Sequence, residues 1–470
     1  MKKELLSVLS PHGQEHLLRF WDQLNQAERR SLARQIREID FDLVDRLYRS
    51  KDKLVNYRKL AERAKPPPAI RLGSPRNRFT PRQARKRGRQ AIAKRQVGVI
   101  LVAGGQGTRL GFDHPKGMFP IGPISGRSLF QIYVEKILAA GRRHGVRIPL
   151  YLMTSPATHK KTKAFFSRHH NFGLEAEDLI IFRQGTMPAV DAASGRVLLE
   201  RPGQIALSPD GHGGTLAALA RSGALADIQQ RGLRHLFYFQ VDNPLVDVCG
   251  AEFVGCHLLT DSEMSTQVVA KQHPKDQLGN VVQVDGRLQV IEYSDLPDDV
   301  AERRNADGSL EIWAGSIAVH MFAVDFLRRM AAAADALPFH IAHKKVAYIG
   351  RAGRLVKPKK TNAIKFERFI FDLMPSAARA IVVEVDPQEA FAPLKNASRA
   401  ATDTPEWVRA QMVAQHRRWL RRAGAEIDDG VAVEICPLWA LDAEETAAKI
   451  KPGTRIAEAT YFCNPCRPIS

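Results

Sequence analysis

VGVILVAGGQGTRLGFDHPKGMFPIG, residues Val97–Gly122, decides how the chain is read. Its first seven residues are a continuous apolar run rich in β-branched side chains. That is the pattern of a strand buried on both faces of a parallel sheet. Glycines follow at once, so the strand predicts a tight turn at its carboxyl end. Outward from it, SLFQIYVEKILAAGRRHG (Ser128–Gly145) has helical spacing and two candidate glycine stops, Gly141 and Gly145. Further strands are expected at 149–154, 179–182 and 235–241, with helical patterns between them. Alternating strands and helices predict a doubly wound α/β domain with a mixed, Rossmann-like sheet. In NVVQVDGRLQVIEYSD, Asp285-Gly286 between two alternating runs predicts a hairpin that adds an antiparallel edge. Ala380–Val385 (AIVVEV) reads as a final strand.

The turn itself carries chemistry. Gly104-Gly105-Gln106-Gly107 lets backbone N–H groups approach a ligand without Cβ interference, and amides near a following helix start would form an anion cradle. Arg109 and Lys116 add two cations within a few residues, a combination suited to a triphosphate. Two commoner glycine motifs fail. Walker A requires Ser or Thr after its lysine, whereas Gly117 follows Lys116. The dinucleotide fingerprint requires a third glycine where Leu110 stands, and no acidic residue ends a second strand at the expected distance.

The 470 residues suffice for two or three domains. We read an N-terminal helical segment at 1–60, a basic linker at 61–95, the α/β domain at 96–390 and a small C-terminal domain at 391–470. The formal charge is +20. Much of the excess lies between Arg58 and Arg95, where Pro66–Pro68 predict an extended connector. Such a segment could hold nucleic acid through phosphates, giving a nucleic-acid-binding protein as a reading from a different class. Between Arg58 and Arg95 only Phe79 is aromatic, too little for base stacking, so we read a solvated connector and no nucleic-acid partner. There is no apolar run long enough to span a membrane and no signal-peptide core. Five cysteines, odd in number, fit a reducing cytoplasm. Cys463 and Cys466 have CxxC spacing without a second pair, and are read as an ordinary C-terminal loop.

GGQGTRLG followed by PKG resembles the eukaryotic-type UDP-sugar pyrophosphorylases (UDPGP type 1), most closely those that make UDP-N-acetylglucosamine. GQEHLLRFW near the start, QGTMPAV (Gln184–Val190), SPDGHGGTLAAL (Ser208–Leu219), QVDNPL (Gln240–Leu245), VIEYSDL (Val290–Leu296), FHIAHKKV (Phe339–Val346), IKFERFIFD (Ile364–Asp372) and FAPLKNA (Phe391–Ala397) stand in the family's order. The resemblance implies a uridylyltransferase that joins UTP to a sugar 1-phosphate, makes a UDP-sugar and pyrophosphate, and uses Mg²⁺. UDP-N-acetylglucosamine is the favoured product. UDP-glucose or a broad range of UDP-sugars is the alternative. Monomer and dimer are both compatible with the sequence.

The same resemblance assigns roles. Val102, Ala103, Gly104 and Gly105 match the loop whose backbone grips the nucleotide, and Arg109 and Lys116 match its catalytic phosphate-binding cations. Gln184 matches the group on the uracil edge, whose carboxamide offers a donor and an acceptor. Gly211 matches a glycine beneath the base. Asp242, ending the strand HLFYFQVDN, matches the residue at the metal, in keeping with the oxygen preference of Mg²⁺. Glu292 and Tyr293 match the sugar pocket, and Lys365 and Lys395 match lysines near the nucleotide phosphates and the sugar phosphate. His212 and Ser316 stand where the family usually has Asn, both at positions that touch the sugar. Those departures leave N-acetylglucosamine, N-acetylgalactosamine and glucose 1-phosphates open as substrates.

Overall fold

The computed structural model describes residues 1–50, 57–333 and 336–464. Positions 51–56 of the expected N-terminal helical segment lie outside the described residues. The chain folds into two compact units, and each draws on three separate stretches. The first comprises the described residues of Met1–Asn56, Gln184–Ala217 and Asp335–Asp372. The second comprises those of Tyr57–Arg183, Ala218–Ala334 and Leu373–Ser470. These divisions differ from the contiguous boundaries expected at 60, 95 and 390.

The larger, second unit is built on a ten-stranded mixed sheet among the described residues. Its strands are β1 (Ala69–Ile70), β2 (Val97–Val102), β3 (Leu150–Thr154), β4 (Leu179–Arg183), β5 (His235–Gln240), β6 (Met264–Ala270), β7 (Gly279–Val284), β8 (Arg287–Ile291), β9 (Ala314–Ala323) and β10 (Ala380–Glu384). The order is β1-β10-β6-β9-β5-β2-β3-β4. β5, β2, β3 and β4 are mutually parallel, and β9 is antiparallel to both β5 and β6. Every residue of β2 is buried, as its unbroken apolar run requires. The β7–β8 hairpin forms at Asp285-Gly286. It branches from the Gly315–Ser316 end of β9, and β8, paired only with β7 among the described residues, is the antiparallel edge that the sequence predicts.

Helix α1 (Pro81–Ala93), helix α2 (Leu129–His144), helix α3 (Ala251–Leu259) and helix α4 (Pro405–Arg422) belong to this unit. Ser128 caps α2 by accepting from the Gln131 N–H, and Gly145, at φ +65°, ends it. The expected connector at 61–95 is corrected by the fold. Ala69–Ile70 pairs with β10, and Pro81–Ala93 is helical, with a capping box between Thr80 and Gln83. The face Ala84-Gly88-Ala91-Ile92 is buried. Where α1 crosses α3, a Cβ on Gly88 would lie 1.8 Å from the Ala251 carbonyl oxygen, and one on Gly255 would lie 1.8 Å from that of Ala84. The two backbones therefore meet through paired glycines, a packing that costs the sequence its hydrophobic signal. The C-terminal segment adds a small core around Leu420, Val433 and Ile456 and belongs to the same unit.

In the first unit, helices Lys2–Leu9, Gln26–Glu38 and Phe41–Arg49 share one core with Val190, Ile205, Ile364 and Phe366. Its three-stranded sheet orders His340–Lys344, Ala363–Glu367 and Val190–Asp191. The described cysteines, Cys249, Cys256, Cys436 and Cys463, are unpaired, and Cys466 lies outside the described residues. No described helix is long and apolar enough to cross a membrane.

Candidate active site

β2 and β5 are parallel neighbours in register at Val102 and Gln240, so their carboxyl ends carry Gly104 and Asp242 side by side. Val102 and Ala103 are buried, Gly104 is partly so, and Gly105 is exposed. The Gly104 carbonyl is held by the Ser155 hydroxyl at 2.7 Å. A short antiparallel pairing then folds the loop back on itself. Gly107 N–H donates to His114 O (2.9 Å) and Lys116 N–H donates to Gly105 O (3.1 Å). Lys116 is thereby set against the glycine turn although it stands eleven positions beyond Gly105 in sequence. The segment following the turn is a three-residue 3₁₀ stretch, Thr108–Leu110. The expected helix start beside the cradle is thus corrected: the next α-helix begins at Leu129. Any anion held here would rest on turn amides and cations, without a helix macrodipole.

Glycine is required in this loop for two different reasons. A Cβ at Gly107 would lie 2.7 Å from Phe112 O, and one at Gly117 would lie 2.2 Å from the Phe130 ring. A Cβ at Gly105 would meet nothing within 4 Å. Packing does not dictate that glycine, so the open space above it is where a ligand can approach the backbone. Arg109 is exposed and makes no ion pair among the described residues.

A second set of hydrogen bonds gathers Asp242, Lys116 and Lys395. Asn243 acts as a clamp: its Nδ2 donates to Ala390 O (2.8 Å), and its Oδ1 accepts from Ala392 N–H (3.0 Å) and Leu245 N–H (3.3 Å). Leu394 N–H donates to Asp242 O at 2.8 Å. The Lys116 ammonium in turn donates to Leu394 O at 3.1 Å. Lys395 N–H and Asn396 N–H both donate to Asp403 O (2.8 and 2.9 Å). Asp403 holds a left-handed φ of +61°. Burial pushes its carboxyl pKa up, Lys395 opposes that shift, and the Asp242 charge adds to it. Sequence reading missed Asn243 and Asp403. The Asn between Asp242 and Pro244, just past a predicted strand, was the available sign of the first. Asp403 gave none, because only the folded loop brings it to Asp242. The Asp242 charge also helps burial raise the phenol pKa of Tyr133, whose OH donates to Val241 O at 3.1 Å. No group of three or more His, Cys, Asp or Glu side chains able to hold a metal occurs among the described residues. Asp242 and Asp403, whose charges interact, are the carboxylates here that could hold a hard cation.

Elsewhere in the second unit, Gly279 pairs with Ser316, and a Cβ on Gly279 would lie 3.5 Å from Glu292 Oε1 and 4.0 Å from Ser316 Cβ. Glu292 and Ser316 therefore border one spot. Ser316 Oγ accepts from Ala318 N–H at a bulge where Ala318 takes φ +56°. Tyr293 is 48% exposed.

In the first unit, buried Gln184 donates through Nε2 to Asp210 Oδ1 (3.2 Å) and to Gly211 O (2.9 Å). Both amide hydrogens are committed, which leaves Oε1 as its remaining polar atom. Gly211 has φ +81°, and a Cβ there would lie 2.3 Å from Arg368 O. Arg368 N–H donates to Asp210 O and Gly213 N–H donates to Arg368 O, both at 2.8 Å. His212 accepts from Ile370 N–H at Nδ1 (3.2 Å), which places its ring proton on Nε2, and it stacks on Phe369. Burial, with a smaller contribution from the His340 charge, holds its pKa down to about 4. Lys365 alternates with buried Ile364 and Phe366 and makes no ion pair among the described residues.

A twisted mixed sheet with a glycine turn, two cations and a carboxylate at its carboxyl end defines a nucleotide-handling α/β protein. The chain belongs to the UTP–glucose-1-phosphate uridylyltransferase family, whose model matches residues 42–443. It is 39% identical over 431 residues to the UDP-N-acetylhexosamine pyrophosphorylase-like protein 1 of Xenopus tropicalis, covering 89% of this chain and 84% of that one. It is 38% identical over 355 residues to the UDP-N-acetylglucosamine pyrophosphorylase of Saccharomyces cerevisiae, covering 74% of each. Its structure resembles that of the uridine diphosphate N-acetylglucosamine pyrophosphorylase of Trypanosoma brucei in complex with inhibitor. The TM-score is 0.80 at 26% identity, over 97% of this chain and 98% of that one. Nucleotidyltransferases of this family generally use a divalent metal.

Proposed function

We propose that the protein transfers the uridylyl group of UTP to a sugar 1-phosphate, with N-acetylglucosamine 1-phosphate the favoured acceptor, and releases pyrophosphate. One observation carries the reading: the backbone pairing that sets Lys116 against the open Gly105 turn, beside Asp242. A phosphate oxygen of the sugar 1-phosphate attacks the α-phosphorus of UTP in line and forms the new P–O bond. The bond from the α-phosphorus to the bridging oxygen breaks, and pyrophosphate leaves with the electron pair. The nucleophile is already anionic, so no strong general base is needed. Rate enhancement then comes from positioning and from fixed charge.

In this reading the amides of Gly104 and Gly105 receive the triphosphate, and Arg109 and Lys116 offset the charge that builds on departing pyrophosphate. Gln184 accepts the uracil N3–H through Oε1, Gly211 lies beneath the base, and Lys365 meets the nucleotide phosphates. Lys395 meets the sugar phosphate and Glu292, Tyr293 and Ser316 meet the sugar, a role that the family resemblance also gives His212. Mg²⁺ held by Asp242 would offset phosphate charge when bound. The N-acetylglucosamine preference is supported by the names of the similar proteins from yeast and Trypanosoma brucei. The unpaired cysteines support a reducing cytoplasm as its compartment.

Pyrophosphate release from UTP and Mg²⁺, measured with N-acetylglucosamine, N-acetylgalactosamine and glucose 1-phosphates in turn, tests reaction and sugar together. The highest kcat/KM is expected with N-acetylglucosamine 1-phosphate. Absence of pyrophosphate with all three would sink the reaction. A higher value for glucose 1-phosphate would move the assignment to UDP-glucose synthesis.

A further inference from the structure

A cavity of about 600 Å³ opens at the amino ends of β1 and β10, where Ala69 and Ala380 line it. β10 runs parallel to β6, and β6 and β5 are both antiparallel to β9. β10 therefore points the same way as β5 and β2, and the cavity lies at the opposite end of the sheet from Gly104 and Asp242. Four arginines line it, Arg76, Arg78, Arg287 and Arg379, and its lining contains no Asp or Glu. Arg379 is held from outside by Asp261 (2.6 Å), and Arg287 donates to Pro375 O (3.0 Å). Arg76 and Arg78 are exposed and make no ion pair among the described residues.

The loop that carries these two arginines is anchored. Asn77 Oδ1 accepts from Arg71 N–H (3.0 Å), and Asn77 Nδ2 donates to Arg71 O (2.7 Å). The Arg71 side chain pairs with Glu384 at 2.8 Å and lies 3.7 Å over the Trp313 ring. Arg76, Arg78 and Arg287 line one cavity and make no ion pair among the described residues; like charges so placed repel one another, and binding an anion relieves that repulsion. Arginine forks match phosphate oxygens two at a time. Phe79 and Met374 add an apolar wall on which a ring can rest, and the volume suits a small molecule.

We propose that this cavity is a second anion site, which takes a small phosphorylated molecule with its phosphate on Arg76, Arg78 and Arg287 and its ring against Phe79. The site does not depend on the uridylyltransferase reading, and the test separates the two. Isothermal titration with ADP, UMP and glucose 6-phosphate is run on the full chain, on Arg76→Ala/Arg78→Ala and on Lys116→Ala. At least one probe is expected to bind the full chain with saturation. Its affinity is expected to fall about tenfold or more in the double arginine variant and to stay within about twofold in Lys116→Ala. Binding of none of the three overturns the proposal. So does the finding that every probe that binds is lost in Lys116→Ala and retained by the arginine variant, whereas such behaviour of UMP alone reports the uridylyl site. A 20-nucleotide RNA that binds more tightly than every probe and is lost with the two arginines would also overturn it, in favour of a nucleic-acid face. Both arginines are exposed, so an unchanged melting temperature in the double variant is the expected control.

Discussion

Two glycine loops look alike in sequence, LVAGGQG in the second unit and SPDGHGG in the first, yet Gly105 of the one and Gly211 of the other are glycines for opposite reasons. At Gly105 an added Cβ would meet open space. At Gly211, Gly213 and Gly214 it would strike the Arg368 backbone or the Asp210 carboxylate at 2.1–2.7 Å. At Gly105 the missing side chain leaves room for something outside the protein, whereas Gly107 of the same loop packs on Phe112 O. In the second loop the missing side chain lets two stretches of the same chain touch. A glycine motif therefore indicates close approach to backbone, and only the fold says whether the visitor is a ligand or the protein itself.

The largest effect expected from breaking this contrast is at Lys116. Lys116→Ala should lower turnover at least about a hundredfold, about 3 kcal/mol of transition-state stabilisation, with thermal melting little changed. Near-normal turnover in the folded variant would remove Lys116 from the chemistry. Gly211→Ala should act on stability instead: φ +81° and Arg368 O at 2.3 Å together should cost about 2 kcal/mol or more, seen as a lower urea midpoint. A variant as stable as the parent would show that the loop yields and that the contrast is false. Gly105→Ala should do the reverse, keeping stability within about 0.5 kcal/mol while raising KM for UTP about tenfold, or about 1.4 kcal/mol. An unstable Gly105→Ala with normal KM would make both loops structural.

The smallest effect is a matter of pH. The His212 pKa of about 4 in the fold lies below its ordinary 6.5. The stability it contributes is therefore present above about pH 6.5, and it is lost as pH falls through about 4, because the unfolded chain takes up the proton first. His212→Asn should flatten the loss of melting temperature between those pH values. An unchanged slope would show that other groups control the acid limb.

Much of the second unit was legible in the sequence because its signals are local. The apolar run of β2, the Ser128 cap with its helix, and the Asp285-Gly286 turn each need only a few neighbouring residues to be read. The helix Pro81–Ala93 was not legible, since it buries Ala84, Gly88, Ala91 and Ile92 against the equally small Gly255 and Ala251. Close backbone packing removes the large apolar side chains on which a periodicity argument depends, and five basic residues mask what remains. Asp403 was hidden for another reason: its nearness to Asp242 exists only once the 390–403 loop is clamped by Asn243.

By itself, the amino-acid sequence determined the alternating α/β architecture, the turn after β2 and the kinds of charged group near it, because backbone sterics and hydrophobic periodicity act over a few residues. Tertiary structure alone decided that Lys116 folds back on Gly105 and reaches Leu394. It also decided that the N-terminal helices share a core with Val190 and Phe366, and that the two glycine loops answer to different demands. Those facts depend on hydrogen bonds and packing between residues far apart in the chain, which no local pattern encodes.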